Sequence, residues 1–405
     1  MRRLSRVSYR PQRKTSRTPW GPVFLFFYTR VRHPLVPGLR KRPSIAYRES
    51  IMTAFQSINE PQLDAVIDTL NPIAVRLAPE VFGTDAPFFV GLQTKIFKET
   101  RFTPKIVPYS FDPDLLTRLI VWAASAGLAQ DFFKASIKKA TYIYGPSGAG
   151  KTTLVEAFAS RTGRSVFTVQ CSEESTLSDL FGSWKLCGPD GMQWIYGKVC
   201  QWAKTPNSIL LLDEFDQLPP QIQMGLNGIL DGKPIFLDQT GELIHIAPGC
   251  LIAATGNTNG SGSAGGKGGS AAGYRGTKKM NIATIDRFNV MYCTYMEEGR
   301  EASLIVEQTG TPVVIAQAMA TLAAKIRANF IALTEDAGAG GMALNFTITT
   351  RNVLNWAMNY RLLMQMGKTT EESQKLALQM TVLDFARHDE ATSILKTWST
   401  IVGTV

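Results

Sequence analysis

Gly145-Pro146-Ser147-Gly148-Ala149-Gly150-Lys151-Thr152-Thr153 fits the spacing G-x-x-x-x-G-K-[ST]. Glycines at these intervals let successive backbone N–H groups turn toward one anion, and a helix that starts where the run ends adds its dipole. A lysine at 151 can reach the β- and γ-phosphates of ATP, and the Thr152 hydroxyl can ligate Mg2+. A second set lies sixty residues on. In "SILLLDEFDQLPPQIQMGLNGIL" (208–230) an apolar run ends in Asp213-Glu214. Asp213 suits Mg2+ held through water, and Glu214 suits a general base that polarises the attacking water. On its own, such an acid pair is equally a solvated strand end. Asn257 in "CLIAATGNTN" (250–259) can hold the attacking water or the γ-phosphate, although an Asn at a strand end is most often a turn former.

These residues need a scaffold, and their flanks predict one. Ala140–Tyr144 is a short β-prone run, and Leu154, Val155, Phe158 and Ala159 follow the loop at helical spacing, with Gly163 as a stop. Ile209–Leu212 is apolar without alternation, which suits a strand buried on both faces of a parallel sheet. The acids then sit at a strand's carboxyl end, where open α/β sheets bind ligands. "NIATIDRFNVMYCTY" (281–295) reads as a short helix, Arg287 and a β-rich run. An α/β phosphate-loop core over 105–295 is therefore expected, followed by helices over 296–405: "REASLIVEQTG", "TPVVIAQAMATLAAKIRANF", "TTRNVLNWAMNYRLLMQMG" and "TEESQKLALQMTVLDFARH". Residues 52–104 mix helical patterning with prolines and predict a small helical region.

Charge narrows the class. The chain has 405 residues and a formal charge of +10, but thirteen Lys and Arg and one acid fall in residues 1–51. From Met52 onward thirty basic residues face thirty-two acidic ones. The body is near neutral, which disfavours a phosphate-tracking nucleic-acid protein. Residues 1–51 show neither helical nor strand periodicity and read as a disordered leader or an upstream reading frame ahead of a start at Met52. Their apolar core "VFLFF" is too short for a signal peptide. No apolar run approaches the roughly 18 residues of a membrane span. Five scattered cysteines without a C-x-x-C pair predict buried thiols in a reducing, cytoplasmic setting.

The order of the phosphate loop, "LLLDEFDQLPPQIQMGLNGIL", "ATGNTN", "IDRF" and "TTRNVLNWAMNY" resembles the MoxR-type AAA+ ATPases, and within them the ATPase subunit of aerobic cobaltochelatase. The likeness spans roughly 105–400. It implies an AAA+ core with a C-terminal helical lid, Asn257 as a sensor of the γ-phosphate, and Arg287 as an arginine finger for a neighbouring subunit's nucleotide. It implies that Arg351 is a lid arginine contacting the γ-phosphate in its own subunit. It further implies a homo-oligomeric ring, a hexamer, that acts on a protein substrate or a partner with a von Willebrand A-type domain. Two inserts match the pattern as hairpins: 183–198, turning at Gly188–Gly191, and 232–249, turning at Gln239–Gly241. Trp184, Met192 and Trp194 are contact residues if the first hairpin meets substrate, and otherwise pack it against its own helix.

From Gly260 to Gly276, eight of seventeen residues are glycine. Its G-x-G-x-x-G neither closely follows a strand nor opens directly onto a helix, so the match is compositional. Lying between Asn257 and Arg287, the run cannot be a domain linker. It predicts a mobile, positively charged loop carrying Lys267, Arg275, Lys278 and Lys279, and "EDAGAGGMALN" (335–345) predicts a second break in the lid. The leading reading is a ring ATPase that remodels or activates a partner. The alternatives are a nucleic-acid motor such as a helicase, and a monomeric kinase, which leaves Arg287 and Arg351 without a role.

Overall fold

The computed structural model describes residues 71–84, 92–125, 138–188, 191–260, 278–335 and 347–403. The leader, residues 52–70, the glycine run beyond Gly260 and the break at 336–346 lie outside the described residues. Ahead of the core, β1 (Ala74–Leu77) pairs antiparallel with β2 (Gln93–Ile96), and α1 (Ala78–Phe82) lies between them in sequence. The described part of 52–104 is thus a β pair with one short helix, where a helical region was expected. Pro79 lets a helix begin but not run through it, so residues 74–77 stay extended and find a partner strand. The helix α2 (Pro113–Ser125) starts where the Asp112 Oδ1 accepts from the backbone N–H groups of Asp114 and Leu115 at 3.0 and 3.1 Å.

From there the chain runs β3 (Ala140–Tyr144), α3 (Lys151–Thr162), β4 (Val166–Gln170), α4 (Leu177–Phe181), β5 (Gly182–Leu186), β6 (Met192–Tyr196) and α5 (Lys198–Ala203). It continues through β7 (Ile209–Asp213), α6 (Pro220–Gly225), α7 (Asn227–Leu230), β8 (Ile235–Leu237), β9 (Glu242–Ile244), β10 (Leu251–Gly256), α8 (Ile282–Ile285) and β11 (Phe288–Tyr292). Five of these strands form one sheet in the order β11-β3-β10-β7-β4, with every pairing parallel.

The uninterrupted apolar strands are explained by burial on both faces. Tyr142, Leu210, Leu212, Ile252 and Ala254 face one core with Val199 and Trp202 of α5. Ile143, Ile209, Leu211, Leu251 and Ala253 face the other, with Leu154, Val155 and Phe158 of α3 and Leu116 and Leu119 of α2. Period-two alternation therefore sorts the side chains between two dry layers, not between core and water.

Both expected hairpins form. β5 pairs with β6 from Gly182↔Tyr196 to Leu186↔Met192, and β8 pairs with β9. The first interrupts a helical path, which resumes where Gly197 N–H donates to Phe181 O at 2.8 Å.

Among the described residues five α-helices follow: α9 (Glu298–Thr309), α10 (Val313–Glu335), α11 (Thr350–Gln365), α12 (Thr370–Thr381) and α13 (His388–Val402). They share a core that includes Ile305, Met319, Leu322, Trp356, Tyr360 and Leu378. The last helix goes beyond the four helical segments expected from sequence. Its buried Ile394, Trp398 and Ile401 keep helical spacing, but Thr392, Thr397, Ser399 and Thr400 dilute the pattern. Those hydroxyls back-bond to carbonyls four residues earlier, which satisfies them within the helix. Among the described residues no helix is long and apolar enough to cross a membrane.

Candidate nucleotide site

The strand order decides which loops meet. β3, β10 and β7 are neighbours, so the segments after Tyr144, Gly256 and Asp213 emerge side by side at the carboxyl edge of the sheet. The glycine loop leaves β3 and turns into α3 at Lys151. Two glycines there are obligatory. A Cβ on Gly145 would stand 1.8 Å from Cys293 O, because β11 runs alongside, and one on Gly148 would stand 2.3 Å from the Cβ of Thr349. Gly148 also has φ +71°, a left-handed conformation that side chains resist.

Lys151 is buried, and its Nζ donates to Gly145 O and Pro146 O, both at 2.9 Å, and to Asn257 Oδ1 at 3.0 Å. Burial lowers its pKa, while Asp216, Asp213 and Glu214 oppose that shift. The Thr152 hydroxyl donates to Asp213 Oδ1 at 2.7 Å, and Thr255 donates to the same oxygen at 2.5 Å. A hydroxyl and a carboxylate side by side are hard oxygen donors of the kind Mg2+ takes beside nucleotide phosphates, and they fit that ion. No group of three or more His, Cys, Asp or Glu able to hold a metal occurs among the described residues.

Glu214 adopts φ +58°, rare for a residue with a side chain. Its N–H donates to Thr255 Oγ1 at 3.0 Å, and its Oε2 accepts from Gln170 Nε2 at 3.2 Å and Gln217 Nε2 at 2.9 Å. The turn thus aims the carboxylate along the sheet edge, beside Asp213, with two amides holding one of its oxygens.

Asp216 completes the platform and was not singled out from sequence. It is fully buried, and its Oδ2 accepts from the N–H groups of Asn257 and Thr258 at 2.9 and 3.0 Å and from the Thr258 hydroxyl at 3.2 Å. Tyr142 donates to Thr258 O at 2.6 Å. Burial raises the Asp216 pKa, and the Thr258 and Asn257 hydrogen bonds restrain the rise. Asp216 is therefore the anchor that holds Asn257 over Lys151. An acid three residues past the strand end in "DEFDQ" was the available signal. Gln170 had none, because it comes from β4 on the far side of β7.

Lys151, Thr152, Asp213, Glu214 and Asn257 are thus assembled within one chain. Arg287 is not among them. Its Nε and Nη2 donate to the two Asp231 carboxylate oxygens at 2.8 and 3.2 Å, and its Nη1 donates to Ala283 O. Asp286 pairs with Lys138 instead, at 3.4 Å. Arg351 is exposed on the first turn of α11, two residues after Thr349, which packs on Gly148. Of the hairpin contact candidates, Trp194 packs against the core and meets Trp184 edge-on at 5.7 Å, while Trp184 and Met192 stay exposed.

Residues 141–288 match the family described as AAA domain (dynein-related subfamily). Protein NorQ of Paracoccus denitrificans is 28% identical over 229 residues, covering 56% of this chain and 75% of NorQ. The denitrification regulatory protein NirQ of Pseudomonas aeruginosa is 25% identical and Protein CbbQ of Hydrogenophilus thermoluteolus 26%, each over 185 residues and 45% of this chain. The matches span 65% of NirQ and 63% of CbbQ, just under two thirds of those relatives. The chain carries an AAA domain on a parallel sheet flanked by helices, and it is an ATP hydrolase.

Proposed function

We propose that this AAA ATPase works as a homo-oligomeric ring, a hexamer, whose turnover remodels or activates a partner protein. In that ring each ATP and its Mg2+ are held by one chain and completed by Arg287 of the next. The position of Arg287 carries the reading. It precedes Phe288, which pairs with Ala140 at the amino end of β3, whereas the phosphate loop follows Tyr144 at the carboxyl end. Four strand steps, roughly 13 Å, separate those ends. A finger there cannot serve its own chain's γ-phosphate, which leaves a neighbour's.

Within the chain, Gly145 to Thr153 wrap the phosphates and Lys151 neutralises them. Thr152 and Asp213 hold Mg2+, Glu214 takes the proton of the attacking water, and Asn257 orients that water. Arg351 approaches the γ-phosphate from the lid. The resemblance to cobaltochelatase and other MoxR-type ATPases supports a partner with a von Willebrand A-type domain, and the near-neutral body supports protein over nucleic acid as the target. The scattered cysteines, without a C-x-x-C pair, support a cytoplasmic setting.

Mixing tests the reading. Arg287→Ala and Glu214→Gln should each bind ATP and hydrolyse it poorly. An arginine finger contributes about 10³–10⁵ in rate. Mixed together they should regain activity, because an intact Glu214 in one chain meets an intact Arg287 in the next. No recovery, with both proteins folded and ATP-bound, would refute the shared site.

A further inference from the structure

Arg327 lies in the middle of α10, with its side chain 5% exposed, and each of its guanidinium nitrogens is engaged. Nη1 and Nη2 donate to the two oxygens of Glu301, which is buried still more fully, at 2.7 and 2.9 Å. Nε donates to Ile348 O at 2.6 Å, and the group lies 4.4 Å above the Tyr295 ring. Both ends of this arrangement touch the phosphate loop. The Tyr295 hydroxyl donates to Ser147 O at 2.9 Å. Ile348 leads into Thr349, which caps α11 with Asn352 and rests on Gly148. The path leaves the loop at Ser147 and returns to it at Gly148, with Arg327 at the turning point. Apolar side chains could fill the same space at no loss of stability. A planar fork that fixes three directions at once does something packing cannot.

We propose that Arg327 is a positioning residue that ties the phosphate loop to the first turn of α11, so that nucleotide affinity and lid placement are set together. This rests on the loop binding nucleotide and on Arg351 acting from that turn.

Two mild variants of the full chain test it, read by a fluorescent ATP analogue, by the corresponding ADP analogue and by melting curves. Tyr295→Phe keeps the ring over Arg327 but removes the bond to Ser147. Thr349→Ser keeps the cap but removes the methyl group against Gly148. Each should weaken ATP binding about 3- to 10-fold, the scale of one lost hydrogen bond or close contact, while the melting temperature barely moves. The double variant should be no weaker than the worse single, because a tie cut once is already cut. Multiplying effects, or no effect of either variant, would overturn the proposal. The paired replacement Arg327→Met with Glu301→Leu leaves no unpaired charge. It should fold, bind ATP weakly and lose its response to a further Arg351→Ala change; wild-type ATP binding in that background would also overturn the proposal. Arg351→Ala alone keeps the two readings apart. It should weaken ATP more than ADP. If it does so while Tyr295→Phe and Thr349→Ser do nothing, the tie fails and the role of Arg351 stands; if it weakens neither, that role fails.

Discussion

Lys151 and Glu214 share one cluster and fail differently when changed. Lys151→Ala removes the ammonium that meets the phosphates and should abolish tight ATP binding. Glu214→Gln keeps the shape and its neighbours Gln170 and Gln217, so it should retain ATP and stall hydrolysis. Equal loss of binding in a nucleotide titration of both proteins would remove Glu214 from the role of base. Asp216 allows a sharper test. Asp216→Ala strands the N–H groups of Asn257 and Thr258, and an unsatisfied buried donor costs about 1–3 kcal/mol. Asp216→Asn keeps an acceptor and should fold well. Because burial raises the Asp216 pKa, the folded chain holds its proton to higher pH than the unfolded chain. Wild-type stability should therefore fall as pH rises through the window just above the usual carboxylate range, and Asp216→Asn should lack that slope. Urea midpoints of both proteins across that window check the sign.

Among the elements, the two hairpins are joined by one small cluster. The Tyr196 hydroxyl at the end of β6 donates to Glu242 of β9 at 2.6 Å, and Lys204 donates to the same carboxylate at 2.7 Å while lying 3.8 Å over the Tyr196 ring. The groups are partly solvent-exposed, so the ion pair contributes under about 1 kcal/mol to stability. Its effect is mechanical. It couples β5–β6 to β8–β9. Glu242→Gln should leave the melting temperature nearly unchanged and raise amide hydrogen exchange in both hairpins together. A rise confined to one hairpin would show that they move independently.

At the scale of the molecule, Arg287 has two claimants. Within the chain Asp231 holds it in a bidentate pair, and in a ring the neighbour's nucleotide would take it. Assembly then exchanges one anion for another. Asp231→Asn weakens the first claim, so specific activity should reach half its maximum at lower protein concentration than in wild type. A shift to higher concentration would mean that Asp231 instead holds Arg287 in its working orientation. Sedimentation of both proteins with ATP separates a change in assembly from a change in chemistry.

What this sequence determined by itself was local. The loop from Gly145 to Thr153, the strand Ala140–Tyr144, the acid pair at the end of β7 and Asn257 after β10 were all legible, because each depends on residue types at fixed short spacing. The hairpins were legible through their turns. The described part of 52–104 was not, because Pro breaks and mixed patterning do not say that 74–77 will find 93–96 as a partner. Helix α13 was missed because Ser and Thr blur its apolar stripe. Tertiary structure alone decided which strands are neighbours, and so which residues meet. Gln170 reaches Glu214 across forty-four positions, and Asp231 reaches Arg287 across fifty-six. Arg327 joins Glu301 to Ile348 across twenty-six and twenty-one. Such contacts follow from strand order and helix packing, which the whole chain sets by burying two faces of one sheet and the core of one bundle.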